Sequence, residues 1–535
     1  MKPQVNYIPS TITSMLEASA EVKNDADLIY EGKSVTFKNL YHDSKRTAAG
    51  LATLGIGLGD RVGFWLPNTP AYLTLYFACA RLGAIVVAIN TRFRASEVED
   101  VLERTGTKAL IMWPNFRGKN FAGILEEMDR SALERLEVAI LYSEEGHTPE
   151  SLAGVSKVVR YESLFEYGAR HIDSSEPSHG CNIFTTSGTT KAPKFVLHSN
   201  ESMAIHAAEV AQNFGYRNPL TVVQQDMPLC GVFGITGVLA AIAGARKLVL
   251  TSAFDADLTV DLMVKHKVTH FDGSDEMIDR LLHATNRDDI FERISFAGYA
   301  FFNSYLDDIV DRAERRGLYA VGLWGMSEMQ ALVTRRDRAD PVDLRKKGGG
   351  RPVSPRAVAR VRDPRSGKLC VTGMAGELEI KGPSRMLKYF KNPEATSETL
   401  TDDGFVRTGD LAQMEPEGGF EFLARMGDVL RLGGFLVSPA EIEAEIQCHP
   451  GVADVQVVSA PIEGADRPFA FIVTDPGTTI DESQVLSHCA NRLAKFKIPI
   501  KVAKLEAFPV TESANGMKVK RTKLREMAIK LLKNQ

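Results

Sequence analysis

The stretch from residue 61 to residue 89 constrains the fold more than any other part of the sequence. Arg61 to Leu66 is a short apolar run, Thr69 to Leu82 carries apolar residues at helical spacing, Gly83 follows, and Ala84 to Ile89 is continuously apolar. This order predicts a strand, a helix and a second strand, and such a unit favours a parallel pair joined by a crossover helix. Because both strands are apolar throughout, the sheet is expected to be covered on both faces.

Further runs extend this pattern. Similar strand-like runs lie at Lys108 to Met112 and at Leu136 to Tyr142. Strands that alternate with helices along the chain are typical of an α/β fold. Since 535 residues exceed what one compact core usually holds, two or three structural units are expected.

The composition of the sequence changes near Arg425, after which Gly427, Gly433 and Gly434 lie close together. Beyond Gly427 the sequence predicts strands at Ala453 to Ala460, Pro468 to Val473 and Pro499 to Leu505, and a helix at Glu482 to Lys495. We therefore predict a large, multi-layered α/β N-terminal domain with covered sheets at residues 1–426 and a small α+β C-terminal domain at 427–535.

The composition excludes several classes of protein. A formal net charge of -4 gives no reason to expect nucleic acid as a partner, and no apolar run is long enough for membrane insertion. The N-terminus lacks the basic and apolar regions of a signal peptide. The basic tail from Lys518 to Lys533 favours a solvated helix face over a membrane-surface role. Six scattered cysteines without Cys-x-x-Cys spacing indicate buried free thiols and a cytoplasmic location: Cys79, Cys181, Cys230, Cys370, Cys448 and Cys489.

The tract from Thr185 to Lys194 reads Thr-Thr-Ser-Gly-Thr-Thr-Lys-Ala-Pro-Lys and follows a short apolar run. Its hydroxyl and backbone N–H groups can surround phosphate oxygens, and its lysines add positive charge. The alternative is a solvated Ser/Thr linker. The tract lacks the Gly-x-x-x-x-Gly-Lys-Ser/Thr pattern of a Walker loop, so a nucleotide hydrolase of that type loses its support.

The tract resembles the signature loop of the adenylate-forming superfamily, Thr-Ser-Gly-Thr-Thr-Gly-x-Pro-Lys-Gly, which includes acyl-CoA synthetases, adenylation domains of peptide synthetases and beetle luciferases. Lys191 and Phe195 replace two glycines of that signature. The resemblance recurs in the family's order along the chain, at Trp324-Gly325-Met326-Ser327-Glu328, Thr408-Gly409-Asp410, the segment from Arg425, Gly433 to Glu443, and Lys518 to Arg525.

The resemblance implies a set of residues that hold ATP. The phosphates and the departing pyrophosphate would be held by the signature loop, at Thr185, Thr186, Ser187, Gly188, Thr189, Thr190 and Lys194. Lys191 is either an added cation of this loop or a side chain that points to solvent.

The motif from Trp324 to Glu328, together with Asp410 and Arg425 further along the chain, would bind the metal ion, the adenine and the ribose. Glu328 would hold Mg²⁺, while Trp324 would pack against adenine or, alternatively, serve as core packing. Gly325, Met326 and Ser327 complete that motif. The resemblance further implies that Asp410 accepts hydrogen bonds from the ribose hydroxyls and that Arg425 donates to the same sugar.

Lys518 is the residue that the resemblance implies for the first half-reaction, next to the reacting phosphate and carboxylate. We predict that Lys518, Glu328 and Thr186 are catalytic, although Met517 separates Lys518 from Gly516, where the family has an adjacent Gly-Lys pair. In the family the small domain is mobile and rotates for the second step.

That rotation would bring a second loop to the acyl-adenylate. The resemblance implies a CoA loop at Leu432, Gly433 and Gly434. We predict a hinge at Gly427, because glycine best absorbs a large backbone change.

Two segments resemble the borders of the family's acyl pocket. Gly231 and Phe233 lie in a Pro-Leu-Phe-His-like segment in which Gly231 replaces the histidine, and Gly298, Tyr299 and Ala300 lie in a Gly-Gly-Ala-Pro-like segment in which Tyr299 replaces glycine. Because one change opens volume and the other fills it, the acid stays open among medium-chain, branched, cyclic and aryl carboxylic acids.

The sequence thus predicts an ATP-dependent ligase that converts a small carboxylic acid to an acyl-adenylate, releases pyrophosphate and transfers the acyl group to CoA. ATP, Mg²⁺ and CoA are the expected cofactors and co-substrates, and a homodimer is left open. The alternatives are a ligase that loads a separate carrier protein and a catalytically silent adenylate-binding protein.

Overall fold

Helices and strands alternate along most of the chain in this computed structural model. It describes all residues except 1–7, 23–27, 147, 153, 168–171, 187–192, 302–305, 433–434, 463–464, 494, 514–515 and 534–535. Within the described residues the helices are α1 (Ile12–Ala20), α2 (Phe37–Thr53), α3 (Pro70–Leu82), α4 (Ala95–Thr105), α5 (Phe121–Glu126), α6 (Arg130–Leu133), α7 (Asn200–Asn213), α8 (Val232–Ala243), α9 (Ala256–His266), α10 (Asp275–Ala284), α11 (Asp288–Glu292), α12 (Ile309–Arg315), α13 (Val342–Arg345), α14 (Pro393–Thr399), α15 (Pro439–Gln447), α16 (Glu482–Arg492) and α17 (Arg521–Lys533).

The strands of the described residues are β1 (Leu28–Tyr30), β2 (Lys33–Val35), β3 (Arg61–Trp65), β4 (Ile85–Ala88), β5 (Ala109–Met112), β6 (Asn115–Phe116), β7 (Lys119–Asn120), β8 (Val138–Leu141), β9 (Val158–Arg160), β10 (Gly180–Thr185), β11 (Phe195–Ser199), β12 (Val222–Gln225), β13 (Lys247–Leu250), β14 (His270–Ser274), β15 (Phe296–Ala300), β16 (Ala320–Met326), β17 (Gln330–Arg335), β18 (Gly349–Pro352), β19 (Val358–Arg362), β20 (Ala375–Lys381), β21 (Lys388–Tyr389), β22 (Val406–Met414), β23 (Phe420–Arg425), β24 (Leu430–Leu432), β25 (Phe435–Val437), β26 (Val452–Ile462), β27 (Ala465–Thr474), β28 (Val502–Lys504), β29 (Val510–Ser513) and β30 (Gly516–Val519).

The strand, helix and strand predicted between residues 61 and 89 are confirmed as β3, α3 and β4. The Thr69 side chain accepts the N–H of Tyr72 and caps α3, Pro70 occupies the first turn, and Gly83 ends the helix at φ 67°. The two strands pair in parallel from Arg61–Ile85 to Phe64–Ala88. Nearly every residue of this unit is buried, so the continuous apolar runs do indicate a sheet covered on both faces.

Two large sheets carry most of the strands. One has eight strands in the order β21-β11-β10-β4-β3-β5-β8-β9, and the other has thirteen in the order β19-β20-β22-β23-β18-β17-β16-β15-β14-β12-β13-β1-β2. Helices α7 and α8 pack against each other, while α7 contacts β10 and β11 and α8 contacts β12, β13 and β17. This helical pair therefore lies between the two sheets, and the predicted multi-layered α/β architecture is confirmed.

Each large sheet changes from parallel to antiparallel pairing at an inner strand, and the thirteen-stranded sheet does so a second time at β1, next to its edge. In the eight-stranded sheet β10 pairs in parallel with β4 and antiparallel with β11. In the thirteen-stranded sheet β16 pairs in parallel with β15 and antiparallel with β17. Strands β10 and β16 each end at a motif that the sequence singled out, Thr185 and Trp324 to Met326 respectively.

The residues beyond Gly427 form a small α+β unit, as predicted. Strand β26 pairs antiparallel with β27, β27 pairs in parallel with β28, and α15 and α17 pack on β26. The predicted helix from Glu482 ends at Arg492 rather than Lys495, because a short 3₁₀ turn at Lys495–Lys497 takes over. The strand predicted from Pro499 begins only at Val502.

The domain boundary at Gly427 stays a prediction. Two apolar clusters, one around Leu430 and Val485 and one around Phe469 and Leu524, contain only residues beyond it. Within the described part of the chain, no helix combines the length and the apolar character that a membrane span requires.

The close contact at Gly350 generates a stability prediction. Strand β18 joins β17 to β23, and Gly350 has a φ of 88°. A Cβ there would overlap the carbonyl oxygen of Arg335. We expect Gly350→Ala to lower the free energy of unfolding by roughly 2–5 kcal/mol, from backbone strain plus steric overlap. Thermal unfolding followed by circular dichroism measures the change.

Gly367→Ala is the matched control. Gly367 also has a positive φ, 67°, but a Cβ there would meet no atom within 4 Å. We expect it to cost only about 1 kcal/mol. Equal unfolding midpoints for the two variants would contradict the steric explanation.

Candidate active site

A buried carboxylate, Asp410, connects two of the motifs. One is the motif from Trp324 to Glu328, at the end of β16, and the other is Thr408-Gly409-Asp410, in β22. The indole Nε1–H of Trp324 donates to Asp410 Oδ2 at 2.9 Å, and Arg425 Nη1 lies 2.7 Å from Asp410 Oδ1. Asp410 and Arg425 also face each other in the antiparallel register of β22 and β23. Because Asp410 is only 1% exposed, these contacts fix the carboxylate in one orientation.

The Thr-Gly-Asp motif holds Asp410 through its own backbone. Thr408 Oγ1 accepts the N–H of Asp410 at 3.1 Å and donates to the carbonyl of Leu378 at 2.8 Å. Gly409 has a φ of 68°, a left-handed conformation that glycine adopts without strain. The motif is therefore a shaped turn, and Arg425 Nη1 also reaches its Thr408 carbonyl at 3.4 Å.

Burial raises the pKa of Asp410, and the nearby Glu328 carboxylate raises it further, whereas Arg425 and the Trp324 N–H lower it. Each further hydrogen-bond donor therefore stabilises the charged form of this buried carboxylate. The pair of hydroxyls on a ribose supplies such donors.

Glu328 lies in a 3₁₀ turn, Ser327–Met329, directly after β16, and is 8% exposed. The hydroxyl of Tyr389 donates to Glu328 Oε1 at 2.6 Å, and the N–H of Met386 donates to the Glu328 carbonyl at 2.8 Å. Burial, followed by the Glu328 charge, raises the pKa of Tyr389, which keeps the phenol a proton donor. Among the described residues no side chain is hydrogen-bonded to the second carboxylate oxygen of Glu328.

Two buried histidines support the turn that carries Glu328. His198 Nε2 lies 2.7 Å from the carbonyl of Ser327, and His206 Nε2 lies 2.6 Å from the carbonyl of Ala331. Burial lowers the pKa of both side chains to about 4, so near neutral pH each is an uncharged imidazole. Since its acceptor is a carbonyl, each Nε2 carries the proton and donates.

The second motif leaves no room for a larger residue at Gly325. A Cβ at Gly325 would lie 2.8 Å from the Cα of Ala331. Trp324 packs its ring edge-to-face against Phe420 at 5.4 Å, and Met326 is buried in the same apolar cluster. Trp324 therefore combines core packing with a polar contact to Asp410.

The ends of the signature loop are joined at its base. The N–H of Thr186 donates to the carbonyl of Lys194 at 2.9 Å, and the N–H of Lys194 donates to Thr186 Oγ1 at 3.2 Å. The Lys194 ammonium lies 4.7 Å from the ring centroid of Tyr389. The remaining predicted members of the loop, Ser187, Gly188, Thr189, Thr190 and Lys191, lie outside the described residues.

Phe195, which replaces a family glycine, begins β11 and is 3% exposed. The guanidinium of Arg104 lies 4.5 Å from its ring centroid. This departure from the signature is thus a core residue of the strand after the loop.

Lys518 lies on β30, whose partner across the hairpin is β29. Lys518 is partly buried, whereas its neighbour Met517 is 42% exposed, because successive residues of a strand face opposite sides. Burial lowers the pKa of Lys518, and the Arg425 guanidinium lowers it further. The predicted C-terminal lysine is therefore close enough to Arg425 for the two charges to interact.

The predicted acyl-pocket residues lie on two elements. Gly231 caps α8 and Phe233 is buried within it. On β15, a Cβ at Gly298 would lie 2.5 Å from Asp272 Oδ1, and Ala300 shares that face. Tyr299 points to the opposite face, and these five assignments stay predictions.

Tyr299 fills its space completely. It is 1% exposed, its hydroxyl donates to the carbonyl of Lys346 at 3.0 Å, and glycines 273 and 322 flank it in the sheet register. In the predicted CoA loop, Leu432 is buried at the end of β24. Gly433 and Gly434 lie outside the described residues.

Two residues of the site, Tyr389 and His198, lie outside the motifs that the sequence singles out. His198 lies in the strand directly after the signature loop, and Tyr389 lies in a segment of two strand residues that no periodicity marks. The pairing of β21 with β11 and the hydrogen bond from the Met386 N–H to the Glu328 carbonyl bring Tyr389 to Glu328. In the described part of the chain no three His, Cys, Asp or Glu side chains gather as a metal site.

Comparison with known proteins gives matches along nearly the whole chain. The family model described as AMP-binding enzyme matches residues 16–390, and the model described as AMP-binding enzyme C-terminal domain matches residues 441–515.

Curated relatives align over their length. The putative acyl-CoA synthetase YngI of Bacillus subtilis (strain 168) is 28% identical and covers 98% of each chain. The mitochondrial medium-chain acyl-CoA ligase ACSF2 of Rattus norvegicus is 25% identical over 99% of this chain and 89% of its own.

Solved structures share the fold. ATP-bound MatB from Rhodopseudomonas palustris has a TM-score of 0.80 at 24% identity, covering 97% of this chain and 99% of its own. The anthranilate CoA ligase AuaEII in complex with anthranoyl-AMP has a TM-score of 0.81 at 22% identity, covering 100% of both chains.

The lowered pKa of His198 predicts how stability depends on pH. Burial lowers the pKa of His198 to about 4 in the folded protein, whereas an unburied histidine has a pKa of about 6.5. Between these values the unfolded state binds more protons, so stability falls as the pH falls, by up to about 1.4 kcal/mol per pH unit for one histidine. We expect His198→Gln, which keeps an N–H donor for Ser327, to flatten this slope. Thermal midpoints measured from pH 7 to pH 4 test it.

The exposed His42 provides the control for this experiment. His42→Gln should leave the acid slope of the wild type unchanged. An equal slope in His198→Gln and the wild type would show that His198 is not protonated on unfolding in this range.

Proposed function

We propose that this chain, which belongs to the AMP-binding enzyme family, activates a small carboxylic acid with ATP and transfers the acyl group to CoA. The family match over residues 16–390 confirms the resemblance that the motifs predict. The observation that carries the proposal is the contact of Trp324 and Arg425 with the buried carboxylate of Asp410, together with a Lys518 ammonium close enough to Arg425 for the two charges to interact.

The acceptor is CoA rather than a carrier protein. The relatives that align over nearly the whole chain are named as acyl-CoA synthetases and CoA ligases, among them YngI and ACSF2. The ACSF2 relatives are named as medium-chain ligases, which makes medium-chain acids the first to test, followed by branched, cyclic and aryl acids.

The nucleoside of ATP would lie on Trp324 and Asp410. The hydrogen bond from the indole to Asp410 fixes the plane of the Trp324 ring, so that its face can receive adenine. Asp410 would accept the ribose hydroxyls, and Arg425, whose side chain is 53% exposed, would donate to the same sugar.

The first reaction joins two anions. An oxygen of the carboxylate attacks the α-phosphorus, the new O–P bond forms, and the bond to pyrophosphate breaks with its electron pair on the leaving group. Lys518 would neutralise the negative charge that develops there, and a partly buried cation does this better than a solvated one. Thr186 and Lys194 would hold the departing pyrophosphate.

Glu328 would hold magnesium. Tyr389 engages one carboxylate oxygen and leaves the other for the ion, and Mg²⁺ commonly takes one or two protein carboxylates together with phosphate oxygens and water. When bound, the ion would neutralise charge on the phosphates.

The second reaction requires the small domain to turn, so that Lys518 leaves and the loop at Leu432, Gly433 and Gly434 approaches the adenylate. Gly427 would be the hinge, since a Cβ there would meet no atom within 4 Å. In the present orientation Arg525 Nη2 donates to the Gly427 carbonyl at 3.0 Å, a contact that rotation would break.

We further propose a reducing compartment such as the cytoplasm, because the six cysteines are free thiols; four are buried as predicted, whereas Cys370 is half-buried and Cys448 is exposed. A homodimer is proposed as the state of assembly.

A panel of carboxylic acids tests the proposed function. We expect at least one medium-chain, branched, cyclic or aryl acid to give pyrophosphate with ATP and Mg²⁺, and its CoA thioester, detected by mass spectrometry, when CoA is added. Pyrophosphate without thioester would favour a ligase for a carrier protein. No pyrophosphate with any acid would favour a silent adenylate-binding protein.

The role of Lys518 gives a sharper prediction. Lys518→Ala should slow pyrophosphate release by roughly 10²–10³-fold, since it removes a charge aimed at the reacting phosphate. Thioester formation from supplied acyl-adenylate and CoA should be kept.

Lys520→Ala is the matched control, because Lys520 lies two residues further on and is exposed. It should retain both half-reactions. Normal adenylation in Lys518→Ala, or equal loss of both half-reactions, would refute the assignment.

A further inference from the structure

Tyr389 contacts both charged groups that the proposed function assigns to the triphosphate end of ATP. Its hydroxyl donates to Glu328 Oε1 at 2.6 Å, and the Lys194 ammonium lies over its ring, 4.7 Å from the centroid. Tyr389 itself is 3% exposed, so neither contact is a chance meeting of solvated side chains.

The backbone around Tyr389 is tied to the strand that follows the signature loop. Tyr389 pairs with Val196 across β21 and β11, and the N–H of Phe390 donates to the carbonyl of Phe195 at 2.7 Å. The Tyr389 N–H also donates to Thr396 Oγ1 at 3.0 Å. The ring is therefore held at a fixed place relative to Lys194, the residue directly before β11.

The same segment is tied to Glu328. The N–H of Met386, three residues before Tyr389, donates to the Glu328 carbonyl at 2.8 Å. Backbone and side chain thus bind the Glu328 turn together, and the turn belongs to the thirteen-stranded sheet whereas Tyr389 belongs to the eight-stranded sheet. Tyr389 is a point at which the two sheets are connected inside the candidate site.

Lys194 and Glu328 form no ion pair within 4.0 Å in the described structure, and the phenol ring contacts both of them. The ring face attracts the ammonium, and the hydroxyl satisfies one carboxylate oxygen. Each charge is thereby kept from neutralising the other and stays available to a ligand.

We propose that Tyr389 is a positioning residue of the first half-reaction, which holds Glu328 for the metal ion and Lys194 for the phosphates and keeps the two apart. This inference rests on the proposed function. Tyr389 does not touch the reacting atoms; it acts through the orientation of Glu328 and Lys194.

Two substitutions separate the two contacts. Tyr389→Phe keeps the ring and removes only the hydroxyl, so it should affect Glu328 alone. We expect the Mn²⁺ concentration needed for half-maximal ATP binding to rise roughly 10-fold to 100-fold, the usual cost of losing a group that orients a metal ligand. ATP binding without metal should stay unchanged. Calorimetric titration of the full-length protein with ATP, across a Mn²⁺ series, measures both.

Tyr389→Leu removes the ring as well. We expect it to share the altered Mn²⁺ dependence and, in addition, to weaken ATP binding without metal, because Lys194 loses its support. Thermal midpoints of all variants are measured alongside. If the leucine variant does not fold, Tyr389→Phe still decides the question, since it differs from the wild type by one oxygen atom.

Two further variants sharpen the result. Tyr41→Phe is the matched control, because the Tyr41 hydroxyl also donates to a carboxylate, Glu17 Oε1 at 2.7 Å, between α1 and α2. It should leave the Mn²⁺ dependence unchanged. In a Glu328→Gln background, Tyr389→Phe should have no further effect on the Mn²⁺ dependence, because the group through which it acts has lost its charge.

The outcomes distinguish this inference from the proposed function. A wild type that binds ATP in a metal-dependent way, together with a Tyr389→Phe variant of the same Mn²⁺ dependence, would overturn the role of Tyr389 and leave the proposed function standing. Equal weakening of ATP binding with and without metal would also overturn it. A wild type that binds no ATP under any of these conditions would overturn both.

Discussion

The candidate site depends on one buried carboxylate, Asp410. Taking this charge out of water is costly, and the neighbouring Trp324 N–H and Arg425 guanidinium offset only part of that cost. The same contacts fix the plane of the indole and the direction of the guanidinium. The Asp410 carboxylate is thus an incompletely satisfied hydrogen-bond acceptor. It favours further donors, such as hydroxyl groups that a ligand can supply.

Both halves of the site lie where parallel strands give way to antiparallel ones. Strand β10 brings Thr185 and the base of the signature loop to one such junction, and β16 brings Trp324 and Glu328 to the other. Parallel strands end at the same edge of a sheet, and the antiparallel strands beyond them add residues from distant parts of the chain, such as Asp410. Tyr389 then connects the two junctions through Glu328 and Lys194.

Much of this arrangement could be predicted from the sequence, because it is encoded locally. The unit from β3 to β4 follows from apolar runs and from the caps at Thr69 and Gly83. The motifs at Trp324 and Asp410 could be recognised because short fixed spacings hold them. Tyr389 and His198 could not be found in this way, since each acts through a contact across the tertiary structure that neither periodicity nor motif spacing marks.

The position of Lys518 places a second positive charge close to that of Arg425. Lys518 and Arg425 are both cations, and the Arg425 charge adds to burial in lowering the pKa of Lys518, which means that the two repel each other. An anion bound between Lys518 and Arg425 attracts both cations and offsets their repulsion. The two cations therefore favour an anionic ligand in this orientation of the C-terminal unit. The rotation about Gly427 that we propose would have to break the hydrogen bond from Arg525 to the Gly427 carbonyl and the one from Ser438 Oγ to the Leu423 carbonyl.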